Sequence, residues 1–230
     1  MFSSLLVTLA LSLADPATYL QPIVAEMQRQ WPSNRTVNIV FHGHSVPAGY
    51  FATPTVDTFN AYPHLTHVAL KERFPYAVIN VIVTAIGGEN SVSGAMRFDR
   101  DVISLRPDLV CIDYGLNDRG LPLEQSKAAW QSMVRSAKSH GIKVLLLTPT
   151  PDFSAKMADA TDPLSKQAAQ IREIASAEGV GLVDSYARFC EIQASGHGLP
   201  PFMAQSNHPN RKGHDEITKL ILNWFPGGKA

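Results

Sequence analysis

The sequence predicts an α/β fold: a three-layer α/β/α sandwich around a five-stranded parallel sheet. Three observations predict it. Short β-rich runs alternate with helical patterns along the chain, which implies βαβ units. Parallel strands need crossover connections, and right-handed crossovers place helices on both faces of the sheet. The chain has 230 residues, 45% of them hydrophobic and 17% charged, enough for one buried core and far from the signature of disorder.

The strands are expected over 37–41, 77–84, 109–114, 144–148 and 180–184, each rich in Val, Ile, Leu or aromatic residues. Three amphipathic stretches read as helices. Trp130, Met133, Val134 and Ala137 recur at helical spacing, as do Leu164, Ala168, Ile171 and Ala175, and then Ile217, Leu220, Ile221 and Trp224. These stripes are read as core packing. Residues 195–210 form the longest irregular loop, and no repeat, low-complexity block or linker divides the chain.

At the start, Leu5 to Leu13 is an apolar run too short for a membrane span, with Ser12 and Ala14 placing small residues where a signal peptidase reads. This predicts a signal peptide over 1–14, a single domain over 15–230, and a secreted or periplasmic protein. The first ten residues contain no Lys or Arg, so a buried N-terminal helix is the alternative. No other segment approaches the roughly 18 apolar residues of a span, so no stable membrane insertion is expected.

Lys and Arg number 20, as do Asp and Glu, giving a formal net charge of zero. This argues against nucleic acid as the main partner, because phosphate binding needs an excess of basic residues. Two cysteines cannot build a disulfide scaffold; Cys111 reads as a buried small hydrophobe, and whether it pairs with Cys190 is not readable. Eight histidines are the compositional hint of chemistry, since imidazole titrates near neutrality.

Ligand sites of such sheets lie off the carboxyl ends of the strands, so the residues after each strand carry the functional reading. After the first strand comes His42-Gly43-His44-Ser45-Val46-Pro47-Ala48-Gly49, which resembles a tight strand-to-helix turn exposing the Ser45 hydroxyl among free N–H groups. After the second comes Ile86-Gly87-Gly88-Glu89-Asn90, where paired glycines let backbone approach a ligand and offer an amide to an oxyanion. After the third comes Tyr114-Gly115-Leu116-Asn117-Asp118, with a side-chain amide as a further donor. Past the long loop comes Asn207-His208-Pro209-Asn210, with Asn210 a plausible helix cap. Each feature alone is equally a turn or a cap. Their order and spacing together are more specific.

Together the four segments resemble the blocks of the SGNH hydrolases, the GDSL-type esterases, from about Val37 to Trp224. The blocks are Gly43-His44-Ser45, Gly88, Gly115-Leu116-Asn117-Asp118, and Gln205-Ser206-Asn207-His208-Pro209 followed by Asn210-Arg211-Lys212-Gly213-His214. The resemblance implies a flavodoxin-like fold with Ser45 as nucleophile and His208 as base. It also implies an oxyanion site made by the N–H groups of Ser45 and Gly88 and the side chain of Asn117. Two positions depart from the family pattern. His44 replaces the Asp before the nucleophile, and Gln205 stands where the family carries the triad acid. The third triad member is therefore open: Gln205 can accept the His208 Nδ1–H bond through its oxygen, or a backbone carbonyl or another carboxylate such as Asp118 or Asp215 can serve.

The activity so implied is hydrolysis of short-chain, chiefly acetyl, esters through a Ser-His acyl-enzyme, without a cofactor. The expected substrate is a small-molecule or carbohydrate ester, and Tyr50, Phe51 and Phe202 are candidates to line its site. Oligomeric state is not readable. Two other readings stand beside this one: a glycan-binding module with a crippled triad, motivated by Gln205, and a metal hydrolase built on His42, His44, His208 and His214.

Overall fold

The computed structural model describes residues 14–196 and 198–228; the expected signal segment, apart from Ala14, lies outside them. The main sheet contains β1 (Thr36–Gly43), β2 (Val78–Val83), β3 (Leu109–Asp113), β4 (Lys143–Leu147) and β5 (Gly181–Val183), in the order β2-β1-β3-β4-β5 and parallel throughout. The expected five-stranded α/β sandwich is thus present, with strand ends displaced by a residue or two.

Helices follow in chain order: α1 (Gln21–Met27), α2 (Ser45–Ala48), α3 (Tyr62–Arg73), α4 (Ser91–Met96), α5 (Phe98–Asp101), α6 (Gly115–Asp118), α7 (Leu123–Ser139), α8 (Pro163–Glu178), α9 (Ser185–Ala194) and α10 (Arg211–Leu222). Alternation of side chains along the strands sorts them into two layers. Ile39, Phe41, Leu109, Cys111, Leu145 and Leu147 face one core with residues of α1, α3, α9 and α10, including Met27, Leu70, Phe189 and Ile221. Val40, Val110, Ile112, Val144 and Leu146 face the other, with Phe98, Trp130, Met133, Val134 and Ile174 from α5, α7 and α8.

Local chemistry explains the helix ends. Asp162 caps α8 by accepting from Leu164 N at 2.8 Å, Pro163 opens the helix, and Gly179 closes it in the left-handed region (φ 64°). Asn210 caps α10 by accepting from Lys212 N and Gly213 N at 2.9 and 3.3 Å. Trp224 lies just past the end of α10 but still packs on the core.

Within the expected loop, residues 198–210 are more ordered than the sequence suggests. A 3-10 turn at Pro200–Phe202 leads into β6 (Met203–Gln205), which pairs antiparallel with β7 (His208–Pro209). These strands are too short for a period-2 pattern to register. Cys111 and Cys190 are both free thiols.

The chain runs from β1 out to β2 on one side and returns to β3 on the other. The strand order reverses between β1 and β3, and that point is where a crevice opens in such sheets.

Candidate active site

Ser45 is positioned by the end of β1. Gly43 lies opposite Asp113 in the sheet, and a Cβ at Gly43 would sit within 2.4 Å of the Asp113 carbonyl, so only glycine allows the two strands this approach. The next residue, His44, donates its N–H to that same carbonyl and caps α2, its Nδ1 accepting from Val46 N at 3.3 Å. Ser45 is the first residue of α2, where a backbone N–H has no intrahelical acceptor. Its side chain is 8% exposed.

His208 arrives from the β6–β7 hairpin, fixed by Pro209 and by the Asn210 cap. Its Nε2 lies 2.9 Å from Ser45 Oγ, and its Nδ1 lies 3.0 Å from the carbonyl oxygen of Phe51. With the proton on Nδ1, that carbonyl accepts it and Nε2 is left free to accept from the serine. Gln205 does not play the part expected of it. Its Oε1 accepts from Thr53 N at 3.0 Å and Thr53 Oγ1 at 3.3 Å, which turns Nε2, a donor, toward His208 Nδ1 at 2.6 Å. A backbone carbonyl therefore occupies the acceptor's place. Asp118 and Asp215 are elsewhere: Asp118 accepts from Ser91 N and Trp130 Nε1, and Asp215 pairs with Arg211 on the surface.

The proposed oxyanion residues converge at the same edge. Gly88 sits in the turn after β2 with φ +82°, a conformation other residues adopt only with strain. Asn117, in α6, donates one amide hydrogen to the Glu89 carbonyl at 2.7 Å, which sets the direction of the other. Arg97 anchors this loop. Its guanidinium binds the Glu89 carboxylate, the Thr84 carbonyl at 2.7 Å, Asp101 at 3.0 Å and the Tyr114 hydroxyl at 3.0 Å.

Burial holds the His208 imidazole below its ordinary pKa; the Phe51 carbonyl opposes that shift and nearby His44 adds to it. Behind Ser45 lies a buried chain. His44 Nε2 is 3.4 Å from Asp113 Oδ1, within ion-pair reach but outside hydrogen-bond geometry, and Asp113 Oδ2 accepts from Tyr62 OH at 3.0 Å. His42 is structural: Nε2 donates to Gly94 O at 3.1 Å and Nδ1 accepts from Thr84 Oγ1 at 2.9 Å. His214 accepts from Tyr62 N through Nδ1 at 3.1 Å. The four histidines of the metal-hydrolase reading thus do not face a common point, and no group of three or more His, Cys, Asp or Glu converges as a metal site among the described residues.

Of the three aromatic candidates, Tyr50 lies at the site, 39% exposed, its ring against Gly87 and 6.1 Å from the His208 ring. Phe51 instead stacks on His214 (5.2 Å, 19°), and Phe202 packs against the main core. Sequence reasoning did not identify the Phe51 carbonyl, Arg97 or Asp113. A main-chain acceptor has no side-chain signature, Asp113 acts through Tyr62, 51 residues away, and Arg97 meets Glu89, Thr84 and Tyr114 only once the loop has folded around it. Phe153 was also missed; it is 49% exposed and its N–H binds the Ser206 carbonyl beside the hairpin.

The structure is similar to that of a two-domain esterase active on acetylated mannans, with a TM-score of 0.74 and 21% identity, matching 90% of this chain and 52% of that one. The chain therefore spans about half the length of that protein. It is also similar to an acetylxylan esterase from Geobacillus stearothermophilus (TM-score 0.71, 21% identity, 83% of this chain and 94% of that one). A catalytic mutant of the same esterase gives a TM-score of 0.72 at 21% identity, again over 83% and 94%. No curated protein matches the chain. At these identities the likeness is one of fold. The GDSL-like Lipase/Acylhydrolase family profile matches residues 41–216, well over half of the sequence, and with the four blocks in place around one sheet edge the chain belongs to the GDSL-like lipase/acylhydrolase family.

Proposed function

We propose that the protein hydrolyses acetyl esters on carbohydrates, with Ser45 as nucleophile and His208 as base. The observation that carries this reading is the 2.9 Å approach of His208 Nε2 to Ser45 Oγ, opposite Nδ1 facing the Phe51 carbonyl at 3.0 Å. In the first step Ser45 Oγ bonds to the ester carbonyl carbon while its proton passes to His208 Nε2. Charge on the former carbonyl oxygen is received by Ser45 N–H, Gly88 N–H and Asn117 Nδ2. Collapse breaks the bond to the alcohol, which takes the proton from Nε2. Water then repeats the sequence on the acyl-serine and releases acetate.

Because the Phe51 carbonyl is available to Nδ1, loss of the family's carboxylate does not strip His208 of an acceptor, which favours an enzyme over a glycan-binding module. The carbohydrate part of the substrate rests on the mannan- and xylan-directed esterases of the same fold. Exposed Tyr50 and Phe153 offer flat surfaces on which a sugar ring can stack. The apolar run at 5–13 fits export to where such polymers lie. Acetate release from acetylated xylan or mannan oligosaccharides, compared with p-nitrophenyl acetate, tests the proposal. Activity on both that is lost in Ser45→Ala supports it. A rate on both no higher than that of Ser45→Ala refutes it.

A further inference from the structure

We propose that Gln205 is a tautomer brake on His208: its amide holds the resting imidazole with Nδ1 as acceptor and Nε2–H toward Ser45, the form that cannot take the serine proton. The inference rests on the esterase reading and concerns how that site is regulated.

The orientation of the amide follows from its partners. Oε1 receives two bonds from Thr53, one of them from a backbone N–H, which can only donate. Exchanging the amide oxygen and nitrogen would set an NH2 group against that N–H. The NH2 group therefore faces His208 Nδ1 at 2.6 Å, with Asn207 Oδ1 at 3.3 Å as its second acceptor. His208 Nδ1 thus has two neighbours that want opposite things. The Phe51 carbonyl, 3.0 Å away, requires a proton on Nδ1, and Gln205 requires a lone pair there.

Each neutral tautomer satisfies one neighbour. With the proton on Nδ1, the ring donates to Phe51, Nε2 accepts from Ser45 Oγ, and the nucleophile is armed; Gln205 then confronts an N–H with an N–H. With the proton on Nε2, Gln205 donates to Nδ1, Nε2–H donates to Ser45 Oγ, and the Phe51 carbonyl loses its partner. A carboxylate at position 205 would instead reinforce Phe51, so Gln in this place biases the ring against the working tautomer and against the imidazolium formed in each acylation.

The test reads the ring directly. Imidazole 15N shifts separate a protonated from an unprotonated ring nitrogen, so they give the His208 tautomer at a pH where the ring is neutral, with His208→Gln supplying the assignment. The proposal expects unprotonated Nδ1 in the wild-type protein and protonated Nδ1 in Gln205→Ala and Gln205→Asp. It also expects kcat on p-nitrophenyl acetate to rise on the order of 2- to 10-fold in Gln205→Ala, the factor for one net hydrogen bond. Gln205→Asp should rise at least as much. Protonated Nδ1 in the wild-type protein overturns the proposal, as does an unchanged or lower kcat in both variants. The spectrum needs no turnover. A wild-type protein without ester hydrolysis but with unprotonated Nδ1 would count against the esterase and leave the brake standing.

Discussion

Asn117 shows how much one side chain can be asked to do. Its amide is held by the Glu89 carbonyl, so in the proposed mechanism the free hydrogen is aimed before any substrate arrives, and preorganised donors of this kind act on the charge that develops at the transition state. Asn117→Ala is expected to lower kcat on p-nitrophenyl acetate on the order of 100-fold with a small change in KM; a loss confined to KM would assign Asn117 to ground-state binding instead. At this scale the sequence was legible wherever a residue's chemistry is its own. Ser45, Gly88, Asn117 and His208 announce themselves through turn chemistry and order. Gln205 was legible as a departure, but its orientation was not, because Thr53, 152 residues away, decides which end of the amide meets His208. Phe51 was singled out for its ring, and it is the backbone carbonyl that reaches the site.

Among the elements, the working parts hang on four short connections: the β1–α2 turn, the β2–α4 loop, the β3–α6 turn and the β6–β7 hairpin. The β2–α4 loop has little packing of its own and depends on Arg97, 7% exposed, whose guanidinium ties Glu89, Thr84, Asp101 and Tyr114 together. Removing it leaves a partly buried Glu89 carboxylate without a cationic partner, with only the Tyr114 hydroxyl at 3.4 Å. Arg97→Ala is therefore expected to cost about 3 kcal/mol in urea unfolding, the lower end for a broken buried pair since Glu89 keeps some solvent contact, and to lower kcat by freeing Gly88 and Asn117. Unchanged stability together with unchanged kcat would show that the loop holds itself. The long strands and the helices α7, α8 and α10 were legible because period and capping agree. The helices α1, α3 and α9 and the hairpin were not. Pro63, Thr66 and two histidines break the apolar stripe of α3, and the two short strands of the hairpin lack the apolar run that marked the equally short β5.

For the whole molecule, the sheet gathers the blocks at one edge, while a cavity of about 500 Å³ lined by Arg35, Arg106, His140 and Lys143 lies apart from Ser45. The buried histidines tie stability to pH. Burial lowers His42 from 6.5 to about 4 and His214 to about 3, so the folded protein keeps both rings neutral. Below pH 6.5 the unfolded chain binds protons that the folded one refuses. Their stabilising effect is thus whole above about 6.5 and drains away as pH falls toward 4 and 3. At roughly 1.4 kcal/mol per pH unit the His42 share is on the order of 3 kcal/mol. The melting temperature should fall steeply between pH 6.5 and 4, and more gently in His42→Gln; parallel curves would assign the acid loss to other groups.

The proposed function rests on Ser45 being a nucleophile that gives its proton to His208. Reaction with a fluorophosphonate, followed by intact mass and peptide mapping, tests it most directly. One adduct is expected, located on Ser45, absent in Ser45→Ala and formed far more slowly in His208→Ala. No adduct, or an adduct on another residue that persists in Ser45→Ala, would contradict it.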